Sequence, residues 1–140
     1  MDITAQEILN RLFNPDDKVC LRIFDDKKRG VFAGQKLSVE CGKFSSIEET
    51  LRQHNAQDRG IFFVVNFGGQ DDEAVTRINA QFVESDELSF EEQEKQIKDF
   101  PLPPSMIIKT RKSLHTYWFV KDAKVERFRT IQKQLVKQFH

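Results

Sequence analysis

An α+β fold, a mainly antiparallel sheet flanked by helices, is predicted by three observations. Short apolar runs come in pairs joined by brief polar turns, which favours antiparallel pairing. Amphipathic stretches separate the pairs, so the order along the chain reads α-β-β-α-β-β-α-β-β-α. Thirteen phenylalanines in 140 residues supply the apolar volume for a core, and the length suits a single domain over residues 1–140.

The elements follow in order. Ile3 to Phe13 carries a helical stripe of Ile8, Leu9, Leu12 and Phe13, and "NPDD" stops it. Val19 to Phe24 reads as a strand, "DDKKRG" as a polar turn, and Val31 to Cys41 as extended chain. Ser46, with Glu49 three residues on, predicts a capping box and a helix to His54. "GIFFVVNF", Gly60 to Phe67, is nearly continuous in apolar residues, as in a strand covered on both faces. "GGQDDEA" is a loop, and "RINAQFVESDE" returns as a strand. Ser89 and Glu92 form a second capping box, opening a helix that runs to Asp99 and breaks at "FPLPPS". "MIIKT" and "HTYWFV" are strands with "RKSL" between them. Lys121 to Phe139 closes the chain as an amphipathic helix bearing Val125, Phe128, Ile131, Leu135 and Phe139.

Composition narrows the function classes. Hydrophobic residues make up 39% and charged residues 31%, an ordinary globular balance. The 22 basic and 22 acidic side chains cancel, which argues against coating nucleic acid through bulk charge but leaves room for a local basic groove. The two cysteines, Cys20 and Cys41, have no metal-ligand spacing and form no disulfide framework, so a reducing compartment is the default. Neither a signal peptide nor an apolar run of membrane-spanning length is visible, and the expected location is the cytoplasm.

Chemistry enters at "FVESDELSFEEQ", Phe82 to Gln93. Side chains alternate along a strand, so Glu84 and Asp86 share a face about 7 Å apart. Two carboxylates that converge repel, and a divalent cation removes the conflict. Mg²⁺ takes one or two carboxylates together with waters and phosphate oxygens, so the pair suits a metal–phosphate site. The alternative is a strand end leaving for solvent, where acids are common. A second stretch, "IIKTRKSLHTYW", places Lys109, Arg111 and Lys112 around a turn, with Thr110 and Ser113 between them and His115 opening the next strand. Cations, hydroxyls and an imidazole are the groups that hold a polyphosphate; the alternative is a basic hairpin tip with a half-buried histidine. Tyr117 and Trp118 read as sheet and core aromatics. His54 reads as the end of a surface helix. Asn66 either faces the site from a strand next to Glu84 or pairs a buried backbone group. Lys95 and Lys98 are surface partners for Glu91 and Glu94.

The run "FVESDE…EEQ…FPLPPSMIIKTRKSLHTYW" resembles the catalytic core of the archaeo-eukaryotic primase superfamily, and within it the primase-polymerase domains of phages, plasmids and other mobile elements. The first motif, an acid-x-acid pair ending a strand, is matched by Glu84 and Asp86. The second, Ser-x-His, is matched by Ser113-Leu114-His115. The "LPPS" before the turn and the upstream "GIFFVVNFGG" agree, and the likeness spans about residues 58 to 121.

The resemblance implies a DNA primase or polymerase that transfers nucleotides with two Mg²⁺ or Mn²⁺ ions. Glu84 and Asp86 would be metal ligands. Ser113 and His115 would contact the incoming nucleoside triphosphate, with Lys112 and Arg111 at its phosphates. Implied partners are a single-stranded DNA template and a fused or associated helicase, with no membrane. The family's third metal-binding acid lies well after Ser-x-His, and the twenty-five residues after His115 are mostly helix. Asp122 is too close and reads as a helix N-cap. The chain is therefore expected to be the N-terminal part of a longer protein. Two other readings stay open: a non-catalytic nucleotide- or nucleic-acid-binding module, and a metal-dependent nuclease. No second histidine lies two residues from His115, which weakens a rolling-circle initiator.

Overall fold

The computed structural model describes residues 4–25, 35–69, 71–110 and 113–139. Its elements are α1 (Ala5–Leu12), β1 (Val19–Asp25), β2 (Lys36–Gly42), α2 (Phe44–Ala56), β3 (Arg59–Phe63), β4 (Ala80–Val83), α3 (Phe90–Asp99), β5 (Met106–Lys109), β6 (Leu114–Phe119) and α4 (Val125–Gln138), with a 3₁₀ turn at Asp72–Ala74 before β4. The α+β class and the element order match the expectation. The strands form two three-stranded antiparallel sheets, each inside its own compact unit, Met1–Thr76 and Arg77–His140.

In the first unit the sheet order is β2-β1-β3. β1 buries Val19, Leu21 and Ile23 at alternate positions. Leu9 and Leu12 of α1 and Leu51 of α2 are buried in the same unit. Thr4 caps α1 by accepting from the Glu7 N–H at 3.2 Å. Two details differ from the sequence reading. α2 opens at Phe44 on an uncapped Lys43, because the Lys43 carbonyl already accepts from Ser46 N and Ile47 N; Ser46 lies inside the helix. β3 stops at Phe63 and is open on one face: Phe62 is 54% exposed, and its ring meets that of Phe24 edge-on at 5.4 Å. Val31 to Gly34, at the start of the second expected strand, lie outside the described residues.

The cysteines are the third difference. The β1–β2 register sets Cys20 directly opposite Cys41, and they form a disulfide. A pairing of this kind depends on strand register, which two isolated cysteines cannot reveal. Closing a loop with a sequence separation of 21 restricts the unfolded chain by about 3 kcal/mol in the loop-entropy account. Reduction, or joint replacement of both cysteines by serine, is expected to lower stability by that amount; denaturant melts with and without a dithiol measure it, and coincident curves would refute it.

In the second unit the order is β4-β6-β5. Register and alternation sort the side chains onto two faces. Phe82 of β4, His115 and Tyr117 of β6, and Met106 and Ile108 of β5 share one face. Val83, Leu114, Thr116 and Trp118 share the other, where Val83, Trp118 and Phe139 form a core with Ile97, Phe100 and Leu135 packed around it. α4 passes along the free edge of β4. Its Phe128 meets Phe82 on the first face, its Leu135 joins the core of the second, and Gln132 between them satisfies both the N–H and the C=O of Phe82. One amide side chain thus takes the place of a further strand at that edge. The Ser89–Glu92 capping box that opens α3 is formed as expected.

β4 ends at Val83 rather than continuing through Glu87. The chain leaves the sheet in a turn closed by Leu88 N to Ser85 O at 3.3 Å and runs directly into the cap of α3. α4 likewise starts later than Lys121: Lys124 is its N-cap, and Asp122 takes a left-handed conformation (φ 56°) instead of capping the helix. Among the described residues no helix is long and apolar enough to cross a membrane.

Candidate active site

The first motif straddles the end of β4. Phe82 opposes Tyr117 in the register, and Glu84, two residues on, stays on that face although the strand has ended. Its carboxylate Oε2 lies 2.5 Å from His115 Nε2. The structure thus joins one residue of each motif. Glu84 is 56% exposed and His115 29% exposed at the side chain, so the pair sits at the surface, open to a ligand. Tyr117 is the floor beside it. Burial, and after it the Glu84 carboxylate, push its phenol up to about 12, so it remains a hydroxyl at neutral pH.

Asp86 does not share a strand face with Glu84, because β4 has ended and Asp86 rides on the exposed turn from Ser85 to Leu88. That turn is anchored at both ends. The Ser85 hydroxyl donates to the Phe139 carbonyl at 2.7 Å, and the Leu88 carbonyl accepts from Gln93 Nε2 at 2.9 Å.

The second motif sits on the β5–β6 hairpin. Thr110 N donates to Ser113 O at 2.9 Å, and the Thr110 hydroxyl accepts from Ser113 N at 3.1 Å. Ser113 is buried, its hydroxyl 3.3 Å from that of Thr110. Arg111 and Lys112, between these residues, lie outside the described residues. Lys109 pairs with Leu114 in the register and therefore belongs to the face opposite His115, where its ammonium lies 4.8 Å above the Phe90 ring. Asn66 lies beyond β3, which pairs with β1; the strand beside β4 is β6.

Hard oxygen donors are what Mg²⁺ and Mn²⁺ take. Glu84 and Asp86 supply them, although His115 engages one of the Glu84 oxygens. Among the described residues no three His, Cys, Asp or Glu side chains gather as a metal-holding group. A cation held by these two carboxylates would need waters and phosphate oxygens for its other positions. A cavity of about 530 Å³ is lined by residues of α1, α2, β1 and β3 in the first unit and by none of the motif residues.

Sequence reasoning missed Gln93. It is 3% exposed, and it joins the acid-bearing turn to the Ser-x-His hairpin. The signal was its spacing: Phe90, Gln93, Ile97 and Phe100 fall on one helical stripe, so an amide stands among apolar residues.

No family model and no curated protein matches the sequence. Among solved structures, the chain is similar to the archaeo-eukaryotic primase domain of the primase-polymerase of cyanophage S-2L. The TM-score is 0.75 at 22% identity, over 94% of this chain and 69% of that one. The resemblance read from the sequence is met at the level of fold: the chain has the α+β fold of an archaeo-eukaryotic primase domain.

Proposed function

We propose that the chain carries part of a primase-polymerase catalytic core, a nucleotidyltransferase of DNA replication. The observation that carries the reading is the contact between Glu84 and His115. The two motifs lie about thirty residues apart in sequence, yet one residue of each meets the other at the surface, in a fold similar to a primase-polymerase domain. The reaction class is attack of a primer 3′-hydroxyl on the α-phosphate of a nucleoside triphosphate, with release of pyrophosphate. The template is single-stranded DNA, and a helicase is the expected companion.

In this reading Glu84 and Asp86 hold Mg²⁺ or Mn²⁺. When bound, the cation neutralises phosphate charge and makes the attacking hydroxyl more acidic. His115, paired with Glu84 in the structure, would donate from its ring to a phosphate oxygen of the bound triphosphate. Lys112 and Arg111 supply positive charge to the phosphates. Ser113 is buried against Thr110; its contribution is to shape the turn that presents its neighbours. A non-catalytic nucleotide-binding module is the second reading, favoured by the absence of a third acid beside Glu84 and Asp86 among the described residues.

Titration calorimetry of the 140-residue chain with a nucleoside triphosphate, with and without Mg²⁺, tests the proposal. Weak binding that requires the metal is expected, because two carboxylates leave the phosphates to complete its coordination. Tight, metal-independent binding would place the ligand at a different site. Primer extension on single-stranded template then separates the two readings.

A further inference from the structure

We propose that Gln93 is a positioning residue that holds the acid-bearing turn and the Ser-x-His hairpin at a fixed separation. The functional half of this inference rests on the nucleotidyl-transfer reading; the structural half does not.

The argument starts from strand alternation. Thr110 and Ser113 form a hydrogen-bonded pair at the end of the β5–β6 ladder, so the next residue, Leu114, turns its N–H away from β5 and toward the β4 side. β4 has already ended there: its last partner on β6 is Thr116, opposite Val83. The Leu114 N–H would be an orphaned donor beneath the motif. Gln93 Oε1 accepts from it at 2.7 Å, and Gln93 Nε2 donates to Leu88 O, the closing residue of the turn that carries Asp86, at 2.9 Å. Leu114 lies between Ser113 and His115, so a single side chain grips both motif segments by their backbones. An amide is the group for the task, because one end must accept and the other donate. A carboxylate accepts at both ends and a thioether donates at neither.

Among the described residues, three side-chain bridges to backbone brace the site: Ser85 to Phe139, Gln132 to Phe82, and Gln93 to Leu88 and Leu114. The first two fix β4 and its turn against α4. Only Gln93 among them reaches the hairpin.

The test compares Gln93→Met and Gln93→Glu with the parent chain, all well below their melting temperatures. Two nucleotide-independent readouts are the amide hydrogen exchange of Leu114 and the ¹⁵N shift of His115 Nε2. For Gln93→Met, Leu114 exchange is expected to rise about tenfold, the equivalent of one ordinary hydrogen bond, and the His115 shift to move toward that of a Glu84→Gln control. For Gln93→Glu, Leu114 is expected to stay protected at neutral pH while the His115 shift still moves, because a carboxylate can accept from Leu114 N–H but cannot donate to Leu88 O. Unchanged His115 shifts in both variants would overturn the inference. A drop in melting temperature with unchanged shifts would overturn it too, leaving Gln93 merely structural. The third readout is Mg²⁺-dependent triphosphate affinity, expected to fall about tenfold for Gln93→Met. If the parent chain binds no triphosphate, the functional reading fails, and the shift and exchange data still decide the positioning role.

Discussion

Glu84→Gln is expected to lower Mg²⁺-dependent nucleotidyl transfer on the order of a thousandfold while leaving the fold unchanged. A cation at a phosphoryl centre contributes several kcal/mol of charge stabilisation, and each 1.36 kcal/mol is about tenfold in rate. The substitution keeps the shape of the side chain and removes the charge that binds the cation. Its structural cost is small: Glu84 is more than half exposed, and it pairs at the surface with His115, where such pairs are worth about 0–1 kcal/mol. The experiment measures Mn²⁺ affinity by paramagnetic resonance, nucleotide transfer to a primer, and the melting temperature. A loss of metal affinity and transfer with an unmoved melt is the expected result. A variant that keeps its Mn²⁺ affinity within a few-fold would remove Glu84 from the metal site. A variant that melts early would mean that the Glu84–His115 contact supports the fold.

Much of the second unit was legible because its signals are local. The Ser89–Glu92 capping box is a four-residue pattern and is formed as predicted. The β5–β6 hairpin follows from two apolar runs and a short polar turn. The Glu84–His115 contact was legible only through motif likeness: alternation puts Phe82 with Glu84 and His115 with Tyr117, but the register that sets Phe82 opposite Tyr117 is a long-range fact. The misreadings share that cause. Where β4 stops depends on how soon the chain must turn into the α3 cap, and the pattern of "FVESDE" shows no break there. Ser46 and Glu49 satisfied a capping box on paper, yet α2 starts earlier, at Phe44, with the Lys43 carbonyl accepting from Ser46 N and Ile47 N. The Cys20–Cys41 pairing and the Gln93 bridge belong to the same class, since each needs two segments aligned by the whole fold.

Trp118→Ala is expected to be among the most destabilising single changes in the second unit, at about 3–5 kcal/mol. Trp118 is 9% exposed, its ring 5.3 Å from Phe100 and 5.5 Å from Phe139 by centroids, and its Nε1–H donates to Leu102 O at 2.9 Å. Truncation to alanine opens a cavity where the chain after α3 and the end of α4 meet the sheet, and it removes the aromatic contacts together. Leu102 itself is 62% exposed, so its carbonyl can turn to water, and the lost hydrogen bond is the smaller part of the cost. Set against a total stability of about 5–15 kcal/mol for a natural domain, the change is enough to unfold a large fraction of a marginal chain. Trp118→Phe keeps a ring in the cluster and loses the indole donor, so a cost nearer 1 kcal/mol is expected. The two variants also separate stability from function. Alternation on β6 puts Trp118 on the face opposite His115, so the Phe variant should bind Mg²⁺ and triphosphate as the parent does. Denaturant midpoints for both variants, with calorimetry on the Phe variant, are the measurements. An alanine variant within 1 kcal/mol of the parent would show that the cluster of Trp118, Phe100 and Phe139 is not the core of this unit. Lost ligand binding in a folded Phe variant would mean that the indole acts through the sheet on the Glu84–His115 face, a coupling that packing on the opposite face gives no reason to expect.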